Sequence, residues 1–166
     1  MSDRLQDAIE ILERLVAFPS ISGRPNHDIT GYVQDYLASH DIESSLSYEA
    51  TGERANVFAT IGPNVDGGVI LNGHMDVVPV EGQVWRTDPF RLTRNGDRLC
   101  GRGSVDMKGF LACVLASAPT FKAANLAKPI HIAFSFDEEI GGYGMPVLLD
   151  WMADHAPRPA VVIVGE

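Results

Sequence analysis

Leu5, Ala8, Ile9, Leu12, Leu15 and Val16 recur at three- and four-residue intervals, the spacing that lines one face of a helix with apolar side chains. This helix is expected to stop before Phe18-Pro19, because proline disfavours the helical conformation of its predecessor. Ile29, Val33, Tyr36 and Leu37 mark a second amphipathic helix. Strands are expected at about 45–48, 57–61 and 69–73. The pattern then alternates from 90 to 100 on either side of Asn95-Gly96, a strong hairpin signal. Residues 107–124 read as a helix and 129–136 as an apolar strand. Residues 146–155 read as a helix with Pro146 in its first turn, where a missing N–H costs no hydrogen bond. Ala160–Gly165 is an uninterrupted apolar run, expected to be a strand buried on both faces. Strands alternating with helices predict a layered α/β/α domain around a mainly parallel, mixed sheet, with the hairpin as its antiparallel addition.

At 166 residues the chain corresponds to about one domain. With 45% hydrophobic residues it can build a core without disulfide staples. Cys100 and Cys113 are too few for a disulfide framework and are not spaced as a zinc ribbon. The net charge is −9, with 13 Lys and Arg against 22 Asp and Glu. That balance, with no basic stretch, argues against nucleic acid or an anionic membrane as a partner and favours a cation or a small polar molecule. The first residues, Met1-Ser2-Asp3-Arg4-Leu5-Gln6, mix charges from the start. No apolar run approaches the ~20 residues of a membrane span or the shorter core of a secretory signal, so a cytoplasmic protein is expected. A buried strand followed at once by the last residue, Glu166, departs from the usual polar terminus, and a truncated chain is expected.

Three apolar runs end in side chains that can bind metal. Val69–Gly73 leads to His74-Met75-Asp76, Ile130–Phe136 leads to Asp137-Glu138-Glu139, and Ala160–Gly165 leads to Glu166. Ligands of open α/β sheets bind beyond the carboxyl ends of the strands, so the three clusters should meet on one rim. His74 and Asp76 are two apart and should share a side in extended chain. One imidazole nitrogen could then take a metal while Asp76 accepts the proton of the other. Taken alone, the pair reads rather as a satisfied core histidine beside a solvated acid. Asp106 follows Gly101-Arg102-Gly103-Ser104-Val105 and precedes a helix. It is either a helix N-cap or a carboxylate aimed inward by a glycine-rich loop.

Glu138 and Glu139 should point to opposite sides if the strand continues through them, one toward a metal and the other toward a water. Otherwise they are acids near the N-terminus of the next helix. Several carboxylates converging on a partly dry rim repel one another and lose solvation, and a dication reverses that balance. One His with several carboxylates suits Zn²⁺, with Mn²⁺ or Co²⁺ as alternatives. His27, His40, His131 and His155 receive no role, and Lys108 and Arg102 could contact substrate but read rather as solvated or as structural salt-bridging residues.

Gly73-His74-Met75-Asp76-Val77-Val78-Pro79, Gly101–Gly109, Asp137-Glu138-Glu139 and Val164-Gly165-Glu166 together resemble the dinuclear-zinc amidohydrolases. That family includes acetylornithine deacetylase, succinyl-diaminopimelate desuccinylase and carboxypeptidase G. The wording of Trp85–Phe90 and Ser104–Ala112 looks most like the acetylornithine deacetylase branch. The resemblance implies a zinc-exopeptidase-like catalytic domain and two divalent metal ions. His74, Asp106 and Glu166 would hold one ion, and Asp106 with Glu139 the other. Glu138 would be the general base, with Asp76 orienting His74. It further implies an N-acyl amino acid substrate, a homodimeric assembly, and a missing second half. That half would carry a lid or dimerisation domain, a further His ligand and the substrate-carboxylate contacts. Residues 1–166 would then hold one ion tightly and be inactive alone. The competing reading of a different class is an inert metal-binding or interaction module; a base beside the ligands argues against it.

Overall fold

The computed structural model describes residues 3–166, leaving Met1 and Ser2 outside the description. The first helix, α1 (Asp3–Val16), ends where Phe18-Pro19 forbids another turn, and α2 spans His27–Ala38. Next come β1 (Ser44–Tyr48), β2 (Ala55–Ile61) and β3 (Gly68–His74). The short strands β4 (Thr93–Asn95) and β5 (Arg98–Cys100) precede α3 (Lys108–Ala123). The chain closes with β6 (Ile130–Ser135), α4 (Gly144–His155) and β7 (Pro159–Val164).

Five strands form one sheet in the order β1-β2-β6-β3-β7. β6, β3 and β7 run parallel, whereas β2 pairs antiparallel with both β1 and β6. The sheet is therefore mixed, and its antiparallel member is β2. The hairpin at Asn95-Gly96 forms, but β4 and β5 make a separate two-stranded sheet. They are three residues each and pair only with one another.

Period-two burial along the strands builds the two halves of the core. Val57, Ala59 and Ile61 of β2 and Ile132 and Phe134 of β6 face α1, α2 and α3, packing on Leu15, Val33, Leu37, Leu111 and Leu115. Phe58, Ile70 and Ala133 face the other way, onto Leu148, Trp151 and Met152 of α4. Three helices on one face and one on the other make the α/β/α layering. The final strand corrects the expected burial: Val161, Val162, Ile163 and Val164 are 47–55% exposed. β7 lies at the sheet edge, paired only with β3, and among the described residues nothing covers its outer side. No helix among the described residues is long and apolar enough to cross a membrane.

Candidate metal centre

Parallel pairing brings three strand ends to one rim. His74, the last residue of β3, lies opposite Ser135 of β6, and Asn72 lies opposite Val164 of β7. Glu166, two residues past Val164, is thereby level with His74. Asp106 reaches the same rim from the loop before α3. Gly103, in that loop, has φ +76°, and a Cβ there would stand 2.6 Å from Val77, so the turn needs glycine. A Cβ on Gly109 would stand 2.6 Å from the Ser104 carbonyl oxygen, so the loop folds back directly onto α3. Asp106 does not cap α3. Met107 occupies that position without a side-chain cap, leaving the Asp106 carboxylate free to face His74.

The imidazole of His74 is 1% exposed and has both nitrogens engaged. Nε2 lies 3.0 Å from Asp106 Oδ1, 3.8 Å from Glu138 Oε2 and 3.9 Å from Glu166 Oε1. Nδ1 lies 2.9 Å from the backbone carbonyl oxygen of Asp76 and 3.5 Å from Asp76 Oδ1. The ring is thus oriented chiefly by the Asp76 backbone. The Asp76 carboxylate serves a wider network: it accepts from Ser22 Oγ at 2.6 Å and from the N–H groups of Glu138 at 3.1 Å and Glu139 at 3.3 Å.

His74, Asp106 and Glu139 offer ligand atoms that all lie within 4.8 Å of one another. Glu138 and Glu139 come to the same rim rather than pointing apart. β6 ends at Ser135, Asp137 takes a left-handed φ of 53°, and residues 138–141 form a turn, so strand alternation does not apply to the two acids.

Burial alone would pull the His74 imidazole down, but the Asp76 carboxylate and then Asp106 outweigh it and push its pKa up to about 9. Glu139 is raised above the usual carboxylate range by burial and then by the negative charge of Asp106. Glu166 is raised by burial and then by its hydrogen bond with Asp106. Burial also pushes Asp76 upward, but hydrogen bonds from His74 and Ser22 and from the Glu138 N–H prevail and leave it lowered. A proton on His74 lessens the crowded negative charge, and the upward push on Glu139 and Glu166 marks the same crowding, which a divalent cation would relieve. The donor set of one imidazole nitrogen and several carboxylate oxygens fits such an ion. A cleft of about 320 Å³ opens beside it, lined by Asn72, His74, Ser135, Glu138, Gly142 and Met145, among others. A larger cavity, of about 1030 Å³, lies among α1, α2 and α3 around Tyr32, Tyr36 and His40, away from this chemistry.

Ser22, Gly23 and Arg54 support the rim without any sequence motif having marked them for it, and Lys108, within Gly101–Gly109, supports it through carbonyl oxygens rather than a salt bridge. Lys108 is wholly buried, and its Nζ donates to the carbonyl oxygens of Leu15 at 2.9 Å and Phe18 at 2.8 Å. It ties the end of α1 to the start of α3. Arg102 stacks on Trp85 at 5.1 Å, and the two cysteines are unpaired.

Residues 70–166 match peptidase family M20/M25/M40. The fold is similar to that of an M20 family metallo-carboxypeptidase from Sulfolobus solfataricus, with TM-score 0.80 and 25% identity, covering 99% of this chain and 37% of that one. It is also similar to human carnosine dipeptidase 1, with TM-score 0.76 and 24% identity, covering 90% and 36%. A third similar structure is the aminoacylhistidine dipeptidase of Vibrio alginolyticus, with TM-score 0.59 and 21% identity, covering 83% and 29%. The chain therefore spans little more than a third of the length of the first two. The match runs through the strand ends and loops that bear His74, Asp106, Glu139 and Glu166, and by it the chain belongs to peptidase family M20/M25/M40.

Proposed function

We propose that this chain supplies the metal-holding part of a hydrolase that cleaves the amide bond of an N-acyl amino acid, with N-acetylornithine as the leading substrate and ornithine and acetate as products. The observation that carries the reading is the convergence of His74, Asp106 and Glu139 within 4.8 Å, with Glu138 Oε2 3.8 Å from the same imidazole. A store for metal has no use for a further carboxylate held beside the ligand cluster.

His74, Asp106 and Glu166 would hold one divalent ion, and Asp106 would share a second with Glu139. Zn²⁺ is the first choice, with Co²⁺ or Mn²⁺ as alternatives. When bound, such ions supply Lewis acidity toward a carbonyl oxygen and a lowered pKa for water. The protein's own part is orientation and proton transfer. The Asp76 carbonyl oxygen accepts from His74 Nδ1, which turns Nε2 to the rim. Glu138, half-exposed at the cleft, takes a proton from the attacking water as the new C–O bond forms. It then delivers that proton to the departing amine nitrogen as the C–N bond breaks.

A dipeptide substrate is the second reading, and the likeness to a human and a Vibrio dipeptidase supports it. Both readings cleave an amide with the same groups. The test is turnover by the whole zinc-loaded protein of N-acetylornithine, N-succinyl-diaminopimelate and a simple dipeptide in parallel. Preference for the first supports the deacetylase reading, and preference for either of the others reassigns the substrate. Full metal occupancy without turnover of any amide would favour the inert module.

A further inference from the structure

The turn carrying the two glutamates is gripped from behind by residues that never touch the metal cluster. Asp137 is 1% exposed and non-glycine, yet its φ is 53°, a conformation L-residues adopt at a cost. Its carboxylate is spanned by two distant segments. Oδ1 accepts the Gly23 N–H at 2.7 Å, and Oδ2 accepts from the Arg54 guanidinium. Arg54 is itself fixed, with its guanidinium 5.6 Å from the centre of the Phe136 ring and 3.7 Å from Glu49.

The consequence falls on the next two residues. With Asp137 left-handed, the chain reverses and the N–H groups of Glu138 and Glu139 both point at the Asp76 carboxylate. Ser22, beside Gly23, donates to that same carboxylate. One loop thus holds Asp76 through Ser22 and Asp137 through Gly23. The loop is docked in turn: the Ser22 N–H donates to the Val77 carbonyl oxygen at 3.1 Å, and the Val77 N–H to that of Ser20 at 3.0 Å.

We propose that Arg54 and Asp137 are positioning residues, a partly buried ion pair that locks the turn at 137–139 so that the Glu138 carboxylate is presented to the His74 rim. This rests on the reading of Glu138 as the base. Without Arg54, the Asp137 carboxylate is left buried and half-unpaired. Its least costly escape is to swing toward solvent, which releases the left-handed turn and the two amides that follow it.

The test uses the whole protein with Arg54→Met, Arg54→Lys, Asp137→Asn and the double variant Arg54→Met/Asp137→Asn. The first readout needs no metal: amide hydrogen exchange at Glu138 and Glu139. Arg54→Met should speed exchange at these two amides by about tenfold or more, while Ile132–Phe134 in β6 exchange as in the wild type. Arg54→Lys, which keeps the charge, should restore most of the protection. The second readout is kinetic: kcat should fall about tenfold to a hundredfold with KM and metal content within about twofold of wild type, as expected for a misplaced group. Should Arg54→Met fail to fold, the double variant removes the unpaired buried charge and carries both readouts. Unchanged exchange at the two amides, or exchange raised equally along β6, overturns the proposal, the latter by reducing the pair to general stability. A fully active Glu138→Gln variant overturns the base reading. An inactive Glu138→Gln beside an Arg54→Met enzyme of normal kcat overturns the positioning role alone.

Discussion

Asp106 Oδ1 lies 3.0 Å from His74 Nε2 across 32 positions of sequence, and this contact adds to the larger effect of the Asp76 carboxylate in holding a proton on the imidazole. In the metal-free protein His74 holds a proton up to about pH 9, against ~6.5 for an unperturbed imidazole. The folded state therefore binds the proton more tightly than the unfolded one. The stability this contributes is full below pH 6.5 and is lost as pH rises through 9. A histidine ligand must be neutral, so below about pH 9 the one zinc ion bound at His74 displaces its proton, and apparent affinity should climb with pH until about 9. Calorimetric titration at pH 7.5 in two buffers of different ionisation heat should report close to one proton released. His74→Ala should abolish that release and weaken binding by at least about tenfold. Zinc affinity independent of pH from 6.5 to 9 would remove His74 from the ligand set.

Replacing Glu138 by Gln keeps shape and removes basicity. The N–H of residue 138 still donates to Asp76, so the turn should survive. Activity of the whole protein should fall by at least ~10²-fold, in line with general acid–base contributions, with metal content by mass spectrometry nearly unchanged. Loss of metal together with activity would make Glu138 a ligand instead.

Lys108 gives the second pH signature, of opposite sign. Burial drives its pKa from 10.5 down to about 7, with the Asp76 charge opposing the fall. Between pH 7 and 10.5 the unfolded chain binds the proton that the folded chain sheds, so this residue's contribution to stability rises with pH across that window. Lys108→Met should erase that rise. It should also cost about 1–3 kcal/mol at high pH, because the carbonyl oxygens of Leu15 and Phe18 lose their donor. Denaturant unfolding of both proteins from pH 7 to 10.5 isolates the effect, since the His74 contribution cancels in the difference. Parallel curves would mean that Lys108 keeps its proton when buried.

Much of the centre was legible because its logic is local. A run such as Val69–Gly73 announces a buried strand, His74 at its end announces the rim, and parallel strands put their ends together. What escaped was long-range or conformational. Gly23 and Arg54 reach Asp137 across 114 and 83 positions, and nothing local marks either. The left-handed backbone of Asp137 overrode the alternation that sent Glu138 and Glu139 apart. Lys108 reads in sequence as solvated or salt-bridging, because only tertiary packing supplies two carbonyl oxygens at its head. The apolar run at Ala160–Gly165 likewise states strand propensity but not position in the sheet, and so it concealed an edge.

That edge carries the last prediction. β7 pairs with β3 on one side only, and Val161, Val162, Ile163 and Val164 are about half-exposed. Unpaired backbone groups beside apolar side chains form a template for another strand. Their exposed apolar surface also adds a favourable term of roughly 25 cal/mol per Å² covered. The 166-residue chain should therefore self-associate reversibly in the micromolar range, seen as concentration-dependent mass by light scattering. Val162 lies opposite Ile70 on the α4 side, and Ile163 opposite Leu71 on the α3 side, so each faces a different layer. Val162→Lys or Ile163→Lys should shift the chain toward monomer by placing a charge where a second strand would pack, and the two together should do so more fully. Zinc affinity should be unchanged in both, since neither residue touches the rim. A wild-type chain that stays monomeric at high concentration, or lysine variants that associate as strongly as wild type, would show that the exposed edge of β7 is not the adhesive surface.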